Sequence, residues 1–86
     1  MKILTVDDSR TMRDMLRMAL VKAGFNVVEA VDGEHGLEVL SANGADVIIT
    51  DINMPKLDGF GFIEAVREDA SYRATPILVL TTESDP

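Results

Sequence analysis

Apolar residues along the chain fall into two alternating patterns. Ile3-Leu4-Thr5-Val6, Val27-Val28, Val47-Ile48-Ile49 and Ile77-Leu78-Val79-Leu80 are short, aliphatic and nearly continuous. Such runs predict strands covered on both faces, as in a parallel sheet, and are β1 to β4 in chain order. Over residues 9–23, Met12, Met15, Leu16, Ala19, Leu20 and Ala23 recur at helical spacing. They predict an amphipathic helix, α1, with Ser9 as N-cap, Gly24 as C-terminal stop and the apolar stripe against a core. A shorter helix, α2, opens at Asp32-Gly33, carries Leu37 and Leu40, and stops near Asn43-Gly44. A third, α3, opens at Asp58-Gly59, carries Phe62, Ile63 and Val66, and fades around residues 69–71.

The order is therefore β1-α1-β2-α2-β3-α3-β4. Strands alternating with helices across short loops define βαβ units, an α/β fold with a parallel sheet and right-handed crossovers. No repeat of fixed period, low-complexity stretch or interdomain linker interrupts it. After β4, Ser84 or Asp85 as N-cap followed by Pro86 is a helix start signal. The chain stops where that helix should begin, so a truncated domain spanning 1–86 is expected.

Composition narrows the function. Eighty-six residues suffice for one domain at most. Eight basic against 15 acidic side chains give a net charge of −7, with no basic cluster to attract a phosphate backbone, so no nucleic-acid partner is expected. Hydrophobic content of 47% and charged content of 27% are globular values. No apolar run is long enough for a membrane span, and Met1-Lys2 leads into β1 with no signal-peptide layout. The absence of cysteine excludes disulfides and thiolate metal sites. A cytoplasmic chain without a membrane partner is expected.

Three carboxylates fall where strands end: Asp7 and Asp8 after β1, Asp51 after β3. Ligand sites in open α/β sheets form outside the carboxyl ends of the strands, where strand order reverses. With β1 between β2 and β3, these acids converge, because neighbouring strands lie about 4.8 Å apart. Like charges so close repel by a few kcal/mol, and all-oxygen ligands favour Mg²⁺ over softer metals. Taken singly, an Asp-Asp pair before a helix is a capping device and an Asp after a strand is a turn residue. It is their shared placement that points to a site.

Val6-Asp7-Asp8-Ser9, Thr50-Asp51-Ile52-Asn53-Met54-Pro55 with Asp58-Gly59, and Leu80-Thr81-Thr82-Glu83 resemble the receiver domain of two-component response regulators. The run Asp8-Ser9-Arg10-Thr11-Met12-Arg13 looks most like the single-domain chemotaxis regulators of the CheY type. The resemblance covers the whole chain without a gap. It implies a flavodoxin-like sheet of strand order 2-1-3-4 that lacks the fifth strand and last helices. It further implies Asp51 as phosphoacceptor, taking a phosphoryl group from a histidine of a chemotaxis-type sensor kinase. Asp8 with Asp7 would hold Mg²⁺, Asn53 would add its backbone carbonyl, and Thr81 would be the switch hydroxyl. Glu83 would sit where phosphoryl turnover is tuned. A loose phosphoryl-transfer transition state needs positioning and charge neutralisation, which such a set supplies.

The family's fifth-strand lysine has no counterpart here, since Lys2, Lys22 and Lys56 fall elsewhere. Efficient transfer, and output to a flagellar motor switch protein in a full-length parent, are expected to be impaired. Without a fifth strand, β4 is an open sheet edge, and apolar surface on the sheet and α1 faces water. Homo-oligomer formation through that edge, or by element exchange, is expected. The alternative reading is thus a self-associating structural or engineered fragment without switch activity. An enzyme reading, a Mg²⁺-dependent phosphatase with an aspartyl intermediate, ranks last. It would want an acid two residues after the nucleophile, where Asn53 stands. His35 is expected to be exposed on α2, Lys56 to be an exposed loop lysine, Pro55 to form a turn, and Met12, Met15 and Met18 to pack.

Overall fold

The structure, a computed structural model, describes residues 1–80. Thr81, Glu83 and the helix start at Ser84-Asp85-Pro86 lie outside the described residues. The expected order of elements is observed: β1 (Lys2–Val6), α1 (Arg10–Lys22), β2 (Asn26–Ala30), α2 (Gly33–Asn43), β3 (Val47–Asp51), α3 (Gly59–Glu68) and β4 (Ile77–Leu80). A 3₁₀ turn, Ala70–Tyr72, continues the path where α3 was expected to fade.

All three helices begin on a side chain that accepts a backbone N–H three residues on: Ser9 from Met12, Asp32 from His35 and Asp58 from Gly61. Each satisfies one of the donors a helix leaves open at its start. Gly24 and Gly44, at φ +96° and +71°, make the left-handed turns that stop α1 and α2.

The four strands form one parallel sheet of order β2-β1-β3-β4. Because side chains alternate across a strand, the sheet has two distinct faces. One carries Leu4, Val6, Ala30 and Ile48, which join Leu40 of α2 and Phe62 and Val66 of α3 in the buried core. The other carries Ile3, Thr5, Glu29 and Ile49, with α1 against β2 and β1. Placing β1 and β3 side by side, with Thr5 opposite Ile49 and Val6 opposite Thr50, brings their carboxyl ends to the same edge.

The α1 stripe departs from expectation. Met12, Leu16 and Leu20 are half-buried, whereas Met15 is 60% and Met18 68% exposed, and Ala19 and Ala23 are exposed too. Of the apolar stripe, only the residues one turn apart at 12, 16 and 20 are half-buried, with Arg13 and Arg17 beside them reaching Glu29 of β2. On the same side of the sheet Leu78, opposite Ile49, is 56% exposed. Apolar surface on α1 and on β4 therefore faces outward. Among the described residues, no helix is long and apolar enough to cross a membrane.

Candidate metal and phosphoacceptor site

Asp7 follows directly on β1 and keeps the ladder going, since its N–H donates to the Ala30 carbonyl at 3.1 Å. Its Oδ1 accepts the Ser9 N–H at 2.8 Å, which folds the chain sharply toward α1. Its Oδ2 is buried and has no hydrogen-bond partner. Asp51 is the last residue of β3, is almost fully buried, and accepts the Ile52 N–H on Oδ1 at 2.7 Å. Asp8 is exposed at the rim. One carboxylate oxygen from each of Asp7, Asp8 and Asp51 lies within 4.8 Å of the others.

Three full charges at that separation repel by about 3–4 kcal/mol per pair at an effective dielectric near 20. Burial, first of all, pushes the Asp7 carboxyl above its usual range. The Ser9 N–H opposes the rise, the charges of Asp51 and Asp8 add to it, and the Arg13 guanidinium opposes it again. A buried, unpartnered carboxylate oxygen beside two further carboxylates fits a hard divalent cation, which would satisfy the orphaned atom and cancel the repulsion. The donor set is oxygen alone, as Mg²⁺ or Ca²⁺ prefers.

The β3–α3 loop leaves Asp51 through Asn53, whose side chain is exposed, and turns at Lys56 in the left-handed region, φ +67°. Its far end is fixed by Gly33, which donates its N–H to the Leu57 carbonyl at 3.1 Å; a Cβ on Gly33 would collide with that carbonyl. The exposed Lys56 lines a cleft with Asp32, Glu34, His35 and Glu38. His35 is half-buried rather than exposed, because its Nδ1 accepts the Val31 N–H at 3.1 Å and so draws the ring onto the β2–α2 turn.

Two residues beside the site were not singled out from the sequence. Arg13 donates from Nη1 to the Asp7 carbonyl at 2.7 Å, and Glu29 faces it from β2. The available signal was Glu29 itself, a charge following Val27-Val28 in a strand covered on that face, which demands a cationic partner.

A parallel sheet of this order gathers two acids after its first strand and one at the end of its third at a single edge. The profile of the response regulator receiver domain matches residues 3–86, and the chain belongs to that family, which serves two-component signalling. It is 39% identical over 85 residues to a probable chemotaxis protein CheY of Rhizobium etli, covering 98% of this chain and 66% of that one. It is 42% identical over 85 residues to the chemotaxis protein CheY1 of Helicobacter pylori, covering 96% and 68%. The chain thus spans about two thirds of the length of these relatives. The chemotaxis response regulator CheY4 of Vibrio cholerae has a solved structure that superimposes with a TM-score of 0.92 at 47% identity, over 99% of this chain and 71% of that one. The flavodoxin-like fold with strand order 2-1-3-4 is that of these regulators.

Proposed function

We propose that the chain accepts a phosphoryl group on Asp51 from a phosphohistidine of a chemotaxis-type sensor kinase, in the cytoplasm. One carboxylate oxygen of Asp51 forms the new O–P bond as the N–P bond breaks, and the electron pair of that bond stays on the imidazole. Asp7, Asp8 and Asp51, with the Asn53 backbone carbonyl, hold Mg²⁺. When bound, that ion supplies positive charge against which the phosphoryl oxygens and the three carboxylates are neutralised. Asp51 is kept in place by its bond to the Ile52 N–H, which leaves Oδ2 outside that bond. Thr81 is the hydroxyl that answers the added charge of about −1.5 to −2. In a longer parent, a flagellar motor switch protein is the output partner. The chain is a phosphoacceptor and catalyses at most its own slow modification and hydrolysis.

The observation that carries this reading is the approach of Asp51 to Asp7 and Asp8 around a buried oxygen with no partner. Its test is intact-mass analysis after incubation with Mg²⁺ and acetyl phosphate. One phosphoryl mass is expected on the unaltered chain, none without Mg²⁺ and none on Asp51→Asn. A label that persists in Asp51→Asn overturns the assignment.

Exposed Met15, Met18 and Leu78 favour a second property, association of copies through the α1 side of the sheet or its β4 edge. It is compatible with phosphoryl acceptance, since the acids lie at the carboxyl end of the sheet.

A further inference from the structure

Asp7 is held at more atoms than a metal ligand alone requires. Its N–H is tied to Ala30 at the end of β2, its Oδ1 to the Ser9 N–H, and its carbonyl to the Arg13 guanidinium at 2.7 Å. Arg13 is only 14% exposed, and its Nε lies 3.6 Å from Glu29 Oε1. The other Glu29 oxygen is 3.0 Å from Arg17 Nη1, which is itself 3.0 Å from Asp14 Oδ1. Both backbone groups of Asp7 are therefore referred to β2: the N–H directly through Ala30, the carbonyl through Arg13 and Glu29. Oδ2 is the one polar atom of Asp7 left without a partner.

We infer that Arg13 is a positioning residue for the metal-holding turn, fixing the direction of the Asp7 carboxylate by gripping the Asp7 carbonyl while Glu29 holds the guanidinium. Charge alone does not explain the arrangement. Glu29 stands beside Arg13 and opposes its charge, so the guanidinium is more than a counter-ion for the three carboxylates. A planar guanidinium, by contrast, keeps its nitrogens in a rigid fork, so Nη1 donates to the Asp7 carbonyl while Nε stays in ion-pair range of Glu29, and a lysine ammonium has no such fork. Groups that orient a ligand of a metal commonly matter to affinity roughly 10-fold or more when removed. Arg17 also pairs with Glu29, at 3.0 Å, so the tie between α1 and β2 does not rest on Arg13 alone.

The inference rests on the Mg²⁺ reading of the acidic cluster. The test is a Mg²⁺ titration of the full chain, followed by the amide NMR resonances of Ser9 and Ile52, whose N–H groups donate to Asp7 and Asp51. Urea unfolding of the metal-free variants is measured in parallel. Arg13→Gln is expected to raise the Mg²⁺ dissociation constant roughly 10-fold, and Arg13→Lys to restore only part of the loss. Glu29→Gln combined with Arg13→Gln is expected to weaken binding by less than the product of the single effects, because both act through one contact. Binding in Arg13→Lys as tight as in the unaltered chain overturns the inference, since charge would then suffice. So does an Arg13→Gln chain with a lower urea midpoint and unchanged Mg²⁺ affinity, the result of a merely structural role. In either case the Mg²⁺ reading stands; an unaltered chain that binds no Mg²⁺ removes that reading and this inference with it.

Discussion

Gly59 donates its backbone N–H to the carbonyl oxygen of Ile52 at 2.8 Å, and the place its Cβ would take is filled by the Asp51 carbonyl and the Ile52 Cα. The first residue of α3 thus lies directly against the backbone that carries Asp51. Gly59→Ala must push α3 away from the end of β3. Overpacking of this kind costs about 1–3 kcal/mol. A lower urea midpoint and a displaced Ile52 amide resonance are the expected results; an unchanged midpoint would mean that α3 shifts freely.

Asp7 carries a stability cost that depends on pH. Its carboxyl is raised by burial above the ordinary value of about 3.9, so the folded chain binds a proton more readily than the unfolded one. Unfolding free energy then falls as pH rises through the window between the unfolded and folded values, and the penalty is fully present at neutral pH. Below the ordinary value it disappears. Asp7→Asn is accordingly expected to be more stable than the unaltered chain at pH 7 without metal, with the difference closing as the pH drops toward 3.9. Mg²⁺ should raise the urea midpoint of the unaltered chain and leave that of Asp7→Asn where it is.

Phe62 is fully buried between α3 and the sheet, with Gly36 of α2 against its ring. Phe62→Ala leaves a cavity on the more heavily covered face and costs about 3–5 kcal/mol. That is a large part of the roughly 5–10 kcal/mol expected for a domain of this size. Circular dichroism at 25 °C should show a substantially unfolded chain, or one with a much lower melting point.

Leu78 offers the simplest probe of association. If copies meet across the α1 side of the sheet, Leu78→Lys removes a contact of about 1.5–3 kcal/mol and introduces a charge. Sedimentation velocity over a concentration series should show association weakened by at least about 10-fold. Equal behaviour of the two chains would exclude that face.

Much of this was legible in the residues, for identifiable reasons. Short aliphatic runs and capping residues mark element ends locally, so Ser9, Asp32, Asp58, Gly24 and Gly44 act where their types suggest. The meeting of Asp7, Asp8 and Asp51 follows from strand order, which the resemblance supplied and the register of β1 on β3 bears out. Met15 and Met18 were misplaced because periodicity gives the width of an apolar stripe but not how much of it a neighbour covers. Arg13 and Glu29 escaped notice because their pairing joins a helix to a strand about 16 residues away, a relation that no local pattern encodes. The half-burial of His35 depends on a backbone donor, Val31, that composition does not reveal.

The two faces of the sheet are covered unequally, and this divides the molecule by how easily its parts open. No residue of α1 is fully buried, while α2 and α3 each place residues in the core. Amide hydrogen exchange should therefore reach α1 at a lower opening free energy than β3 or α3. Asp7 and Asp8 lead into the loose half, whereas Asp51 terminates a strand of the firm half. Fraying of α1 at Ser9 releases the hydrogen bonds that hold the Asp7 turn and leaves the Asp51 bond to the Ile52 N–H untouched, so Asp51 keeps its position independently of that helix.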